Sequence, residues 1–222
     1  MSDSSDQVTV FRMGVLDHAR FAGQFLPIIE RARGGRAAGV AAVEELKAFV
    51  ANVKDRAQRE EAQSQLERIE VSVSSNRWHA AAAGNVLQAA LCDELKEIPD
   101  MLHQLPTWLD FLYDWDETNA EAIQRFFSFL SDHTLDWASP VDTWRAAVGP
   151  DDLEEVATAM GALTPRQLAK MLASVEDGDV FSEQEAEEIA DWWNEIRTLI
   201  RLARRQEAGV LFVVSLEPRR AP

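Results

Sequence analysis

Apolar positions along the chain alternate between helical and strand-like spacing. Val8–Met13 (VTVFRM) is a short β-prone run closed by Gly14 and predicts a strand. From Asp17 to about Arg33, the residues Phe21, Phe25, Ile28 and Ile29 recur at helical spacing, with Pro27 expected to kink or split the helix. Gly34, Gly35 and Gly39 mark a loop. Over residues 40–68, Val43, Leu46, Val50 and Val53 share one face. Glu60 and Glu61 lie among Arg56, Arg59 and Arg68, as on a solvated helix face. Ile69–Val73 (IEVSV) alternates apolar with polar and predicts a half-buried strand. Ser74, Ser75 and Asn76 then offer an N-cap to an Ala-rich helix from Trp78 to about Leu95, whose run Ala80–Ala83 lets another element approach closely.

The last third is more sharply punctuated. Asp151 and Asp152 can cap a short helix to about Met160, and Thr164–Gln167 is a capping box with proline at the first helical position. A second box, Ser182–Glu185, opens a helix of about 25 residues, acidic in its first half and arginine-rich in its second, which complements the helix dipole. Gly209 is expected to end it in a left-handed conformation, and Val210–Leu216 (VLFVVSL) predicts a buried strand. Between these regions, residues 96–148 are acidic, aromatic and interrupted by Pro99, Pro106 and Pro140, with helices expected near Trp108–Tyr113 and Ala120–Leu130. The pattern predicts one mostly helical α+β domain over residues 1–222. Its small sheet is built from the N-terminal, Ile69–Val73 and C-terminal strands, and 96–148 is a helical insertion or divergent segment.

Composition narrows the function. The 222 residues are 46% hydrophobic and carry a formal net charge of −16, a folded acidic composition that argues against nucleic acid and anionic membrane as partners. The charge is local. Residues 1–92 hold eleven acids and eleven bases, and residues 156–222 hold eleven acids and eight bases. Residues 93–155 hold sixteen acids against three bases, Lys96, Arg125 and Arg145. Cys92 is the single cysteine, and the start of the chain is polar and acidic, so a cytoplasmic protein is expected. The longest apolar runs, such as Val210–Val214, are too short to span a bilayer.

The acidic stretch holds the strongest candidate site. In WLDFLYDWDE, the residues Trp108, Tyr113 and Trp115 stand among Asp110, Asp114, Asp116 and Glu117. Two readings fit: aromatic core with a wet acidic side, or a recognition face whose aromatic anchors grip a basic protein partner within an acidic field. Trp78 and His79 suggest a second site, a pocket behind the indole. Metal chemistry is weakly signalled: Asp100 and His103 are separated from a continuous helix by prolines, and Asp132–His133 are adjacent and cannot share a helix face. The segment SVEDGDVFSEQE has its acid and glycine out of register for a calcium loop. No cofactor and no catalytic residue is expected.

Three segments in order, VTVFRMG, SSNRWHAAAAGNVL and the tail from LEEVATAMGALTPRQLAKML to EEIADWWNEIRTLIRLARRQEAGVLFVVS, together resemble the YfbM-like family of small bacterial α+β proteins of unassigned function. The resemblance is fullest over Leu153–Ser215. Its members usually have a more acidic approach to the Trp-His pair, where this chain has Ser74, Ser75 and Asn76, and the acidic middle is extra or divergent. The resemblance implies a fold and carries no catalytic residue. The expectation from the residues is a non-enzymatic binding module, an immunity- or antitoxin-like protein that neutralises a basic effector. The alternatives are a hydrolase-type or metal-dependent enzyme using carboxylates with His79, and a homo-oligomeric structural protein; a homodimer stays open.

Overall fold

Strand β1 (Gln7–Leu16) pairs antiparallel with β4 (Gly209–Pro218) along its whole length, from Gln7 opposite Pro218 to Leu16 opposite Gly209. On the far side of β1 lies β2 (Lys96–Ile98), and on the far side of β4 lies β3 (Thr143–Val148), giving the order β2-β1-β4-β3. This computed structural model describes residues 7–93, 95–98, 117–173 and 182–218. The alternation of side chains along β4 explains its unbroken apolar sequence. Val210 and Phe212 join one core and Leu211 and Val213 the other, so both faces of the central strand are covered.

The first face is covered by elements from the C-terminal half: α6 (Glu117–Asp132), α7 (Leu153–Gly161), α8 (Pro165–Ala173) and α9 (Glu183–Arg205). Helix α9 carries the stripe Ile189, Trp192, Trp193, Ile196, Leu199, Ile200 and Ala203 at three- and four-residue spacing, all buried. Trp193 donates its indole N–H to the Leu163 carbonyl at 2.9 Å and meets Phe126 edge-on at 5.7 Å. Both expected capping boxes form. Ser182 accepts from the Glu185 amide while Glu185 accepts from the Ser182 amide, and Thr164 and Gln167 exchange the same pair of bonds.

The second face is covered by the N-terminal half: α1 (His18–Arg20), a π-helical turn (Phe21–Phe25), α2 (Leu26–Arg33), α3 (Arg36–Ala51), α4 (Arg56–Ser74) and α5 (Ala80–Leu91). Asp17 caps α1 by accepting from the Arg20 amide at 3.2 Å. The interruption expected at Pro27 takes the form of the π turn. The Leu26 amide bonds to the Phe21 carbonyl, and Pro27, which has no amide proton, sits in the first turn of α2.

Five expectations are corrected, the first being that Gly39 belongs to a loop: it is buried within α3, against Val73. Ile69–Val73 is the last part of α4, not a strand. Ile69 and Val73 are buried four residues apart, in line with Ala62 and Leu66, while Glu70, Val71 and Ser72 lie on the wetter side. The sheet instead takes its outer strands from β2 and β3, so 96–148 is not wholly a helical insertion: strands stand at both its ends and α6 lies between. Asn76, at φ 55°, ends α4 in the left-handed region instead of capping α5, whose N-cap is His79. At the end of α9 the left-handed residue is Glu207 (φ 52°), not Gly209. Gly209 starts β4, where the Val148 carbonyl oxygen would stand 2.6 Å from a Cβ.

Candidate functional site

Of the expected partner face, Trp108, Asp110, Tyr113, Asp114, Trp115 and Asp116 lie outside the described residues, and Glu117 is the first residue of α6. The described part of the acidic stretch continues from there. Between α6 and α7 runs a groove of about 380 Å3 with Phe129, Val156 and Ala159 along it and Glu121, Arg125 and Glu155 at its edges. Arg125 lies 3.8 Å from Glu121, one turn away on the same helix. Glu154, in the first turn of α7, pairs with Arg204 of α9.

Arg145 changes the charge picture of this stretch. It points from β3 beneath α5 and is only 4% exposed. Its guanidinium donates to the Ala138 carbonyl at 2.5 Å and to Asn85 Oδ1 at 2.9 Å, and its Nε has no partner. Burial pushes its pKa down to about 10, against the pull of Asp142, so it remains charged at neutral pH. The small residues of α5 make room for it, as the alanine run led one to expect of an approaching element. Ala82 and Ala83 are fully buried, and a Cβ on Gly84 would collide with the guanidinium. One of the three basic residues in 93–155 is thereby removed from the surface.

Trp78 and His79 are both engaged in holding the fold. The Trp78 indole N–H donates to the Trp137 carbonyl at 2.7 Å, tying the start of α5 to the 3-10 turn Asp136–Ala138. His79 Nδ1 accepts from the Ala82 amide at 3.2 Å as the N-cap of α5, which places the proton of the neutral ring on Nε2. Trp78 does border a recess, of about 390 Å3. Its other walls include Arg33, Gly34, Gly35, Arg36 and Arg77, so the charged groups there are cations and not the carboxylates an acid–base site would use.

A further constellation has no local signal in the sequence. At the end of the sheet where β1 and β3 finish and β4 begins, His18, His133 and Asp152 come together. His133 Nε2 lies 3.2 Å from Asp152 Oδ2, and its Nδ1 lies 2.9 Å from the Phe129 carbonyl oxygen, with the imidazole stacked on the Phe129 ring at 4.4 Å. The imidazole thus links the end of α6 to the start of α7. Asp152 occupies the N-cap position of α7 as expected but makes no side-chain cap; its carboxylate is turned to His133. A Cβ at Gly149 would stand 3.0 Å from His18 Nε2 and 3.6 Å from Asp152 Oδ2, which marks how closely these groups crowd the turn. Burial pushes the His18 imidazole below the usual histidine pKa; Asp152 and Asp151 pull the other way, and His133 adds to the lowering.

Cys92, the residue that ends α5, is buried, and burial pushes its thiol well above the usual cysteine pKa, with Asp93 adding to the shift. Among the described residues no group of three or more His, Cys, Asp or Glu side chains is arranged to hold a metal ion, and no helix is long and apolar enough to cross a membrane. No protein-family model matches the chain, and neither a curated protein nor a solved structure matches it.

Proposed function

We propose that this protein is a non-enzymatic binding module, best described as an immunity- or antitoxin-like protein that captures a basic protein through the acidic, aromatic stretch 93–155. One observation carries the reading: the placement of charge. Sixteen acids stand against three bases in that stretch, and the burial of Arg145 leaves Lys96 and Arg125 as its own surface bases, with Arg12 and Arg204 from outside it pairing with Glu97 and Glu154. A field of one sign steers an oppositely charged partner into encounter, and aromatic anchors such as Trp108, Tyr113 and Trp115 would supply the contact area that holds it. His79 and His133, the histidines an enzymatic reading would turn to, make hydrogen bonds that brace helices. Kinship with the YfbM-like family is part of the proposal. It is supported by the N-terminal strand and by the succession of α7, α8, α9 and β4 over the tail that carries the resemblance.

The test uses the product of the adjacent gene as bait, because immunity proteins are encoded beside the toxins they neutralise. Asp114→Lys combined with Asp116→Lys should abolish capture of that partner while leaving the unfolding temperature unchanged. Capture that survives the double charge reversal overturns the proposal.

A further inference from the structure

The recess beside Trp78 is basic in a protein whose surplus charge is acidic. Arg33 closes α2, Arg36 opens α3 and Arg77 follows α4, and these three separate elements bring their exposed guanidinium-bearing side chains to one concavity of about 390 Å3. No aspartate or glutamate is among its described lining residues. Several cations on this helical layer are matched with acids, Arg31 with Glu45, Lys47 with Glu44 and Glu70, and Arg56 with Glu60, while Arg20 lies over the Phe49 ring and Arg59 donates to the Val53 carbonyl. Arg33, Arg36 and Arg77 make no ion pair among the described residues. Three like charges around one small space repel one another unless an anion enters between them, and the planar fork of arginine suits the oxygens of phosphate in particular.

The remaining walls fit the same ligand. Gly35, at φ 120°, caps α3 without any side-chain acceptor, so no protein carboxylate or hydroxyl already occupies the donors at that corner. Trp78 supplies an apolar wall whose N–H is already donated to Trp137. The acidic excess of residues 93–155 does not extend to this part of the chain, since residues 1–92 are electrically balanced. At physiological ionic strength charges beyond about 8 Å are largely screened.

We propose that Arg33, Arg36 and Arg77, with Trp78 as the apolar wall, form a binding site for a phosphate-bearing small molecule. The site belongs to the helical layer on the opposite face of the sheet from α6 and α7, and it does not depend on the protein-capture reading. The experiment is a titration of the 15N-labelled full chain with inorganic phosphate at constant ionic strength, followed by NMR. The expected result is saturable movement of the Gly34, Gly35 and Ala37 amide signals together with the side-chain Nε–H signals of the three arginines. Arg36→Glu and Arg77→Glu should each weaken the binding by about tenfold or more, the scale of one charge-assisted hydrogen bond. If either reversal disturbs the spectrum of the free protein, Arg36→Gln and Arg77→Gln take its place under the same criterion. Signals that do not saturate, or saturable binding that survives both substitutions, overturn the proposal.

Discussion

The guanidinium of Arg145 rests on Gly84: a Cβ added at that glycine would meet Arg145 Cζ and Nη1 at 2.6 Å and the Ala138 carbonyl oxygen at 2.7 Å. Glycine inside a helix ordinarily destabilises it by roughly 0.5–1 kcal/mol relative to alanine. Here the sign should reverse. The backbone oxygen of Ala138 cannot swing aside, and Arg145 is held between that oxygen and Asn85. Gly84→Ala is expected to destabilise the protein by about 1–3 kcal/mol, the usual range for overpacking a core, as read by urea denaturation. A gain in stability would show that the buried arginine is not fixed against α5.

Two adjacent tryptophans offer an internal comparison. Trp193 spends its N–H on the Leu163 carbonyl, whereas the Trp192 indole nitrogen is buried with no partner. Both rings pack among aromatics, Trp193 against Phe126 and Trp192 against Phe11. Trp193→Phe should therefore cost about 1 kcal/mol more than Trp192→Phe, because it alone removes a made hydrogen bond. Equal losses in denaturant midpoint for the two variants would contradict this.

Stability should weaken on mild acidification, and His18 should be one cause. Its pKa is lowered in the folded protein, so as pH falls the unfolded chain takes up the proton first, near the ordinary histidine value of about 6.5. Its contribution is fully present above that value. It declines as pH drops toward the lowered folded value and is constant below it. His18→Gln should flatten the unfolding temperature across this window relative to the parent protein; an unchanged slope would assign the pH dependence to other groups.

The Cys92 thiol should be inert in the native state. It is 5% exposed, and burial, with Asp93 nearby, disfavours the thiolate. Iodoacetamide at mildly alkaline pH should label it only at the rate at which the protein opens, and denaturant should make labelling fast. Rapid native-state labelling would mean that Cys92 is far more accessible than its burial indicates.

What the sequence revealed, and what it concealed, follows from how far each signal extends along the chain. Strand β4 was legible because five consecutive apolar residues, Val210 to Val214, admit few other environments. Helix α9 was legible because its stripe from Ile189 to Ala203 runs for about four turns behind a complete capping box. Ile69–Val73 misled because a five-residue alternation also contains an i,i+4 pair, and only the longer register through Ala62 and Leu66 decides between them. β3 escaped notice because Thr143–Val148 (TWRAAV) places a charged residue at its centre, and that charge is tolerated only because α5 contributes glycine, small side chains and Asn85. The approach of His18, His133 and Asp152 depends on three segments meeting at one end of the sheet, which no local pattern encodes. Among the described residues, the recess that Trp78 borders is lined by neither His79 nor a carboxylate but by Arg33, Arg36 and Arg77, two of them more than forty positions earlier in the chain.

The pairing of β1 with β4 sets a timetable for the newborn polypeptide. During synthesis β1 emerges first among the described elements, yet its ten-residue partner follows only after every described helix has been made. Until then the Phe11, Met13 and Val15 side of β1 has no Phe212 beside it, and β3 has no central strand to join. Helices α1 to α5 can pack locally beforehand, but the sheet that joins both cores closes last and across nearly the whole described length. A ribosome stalled after α9 should therefore hold a half-organised chain with an unpaired strand edge, a target for chaperones or for self-association.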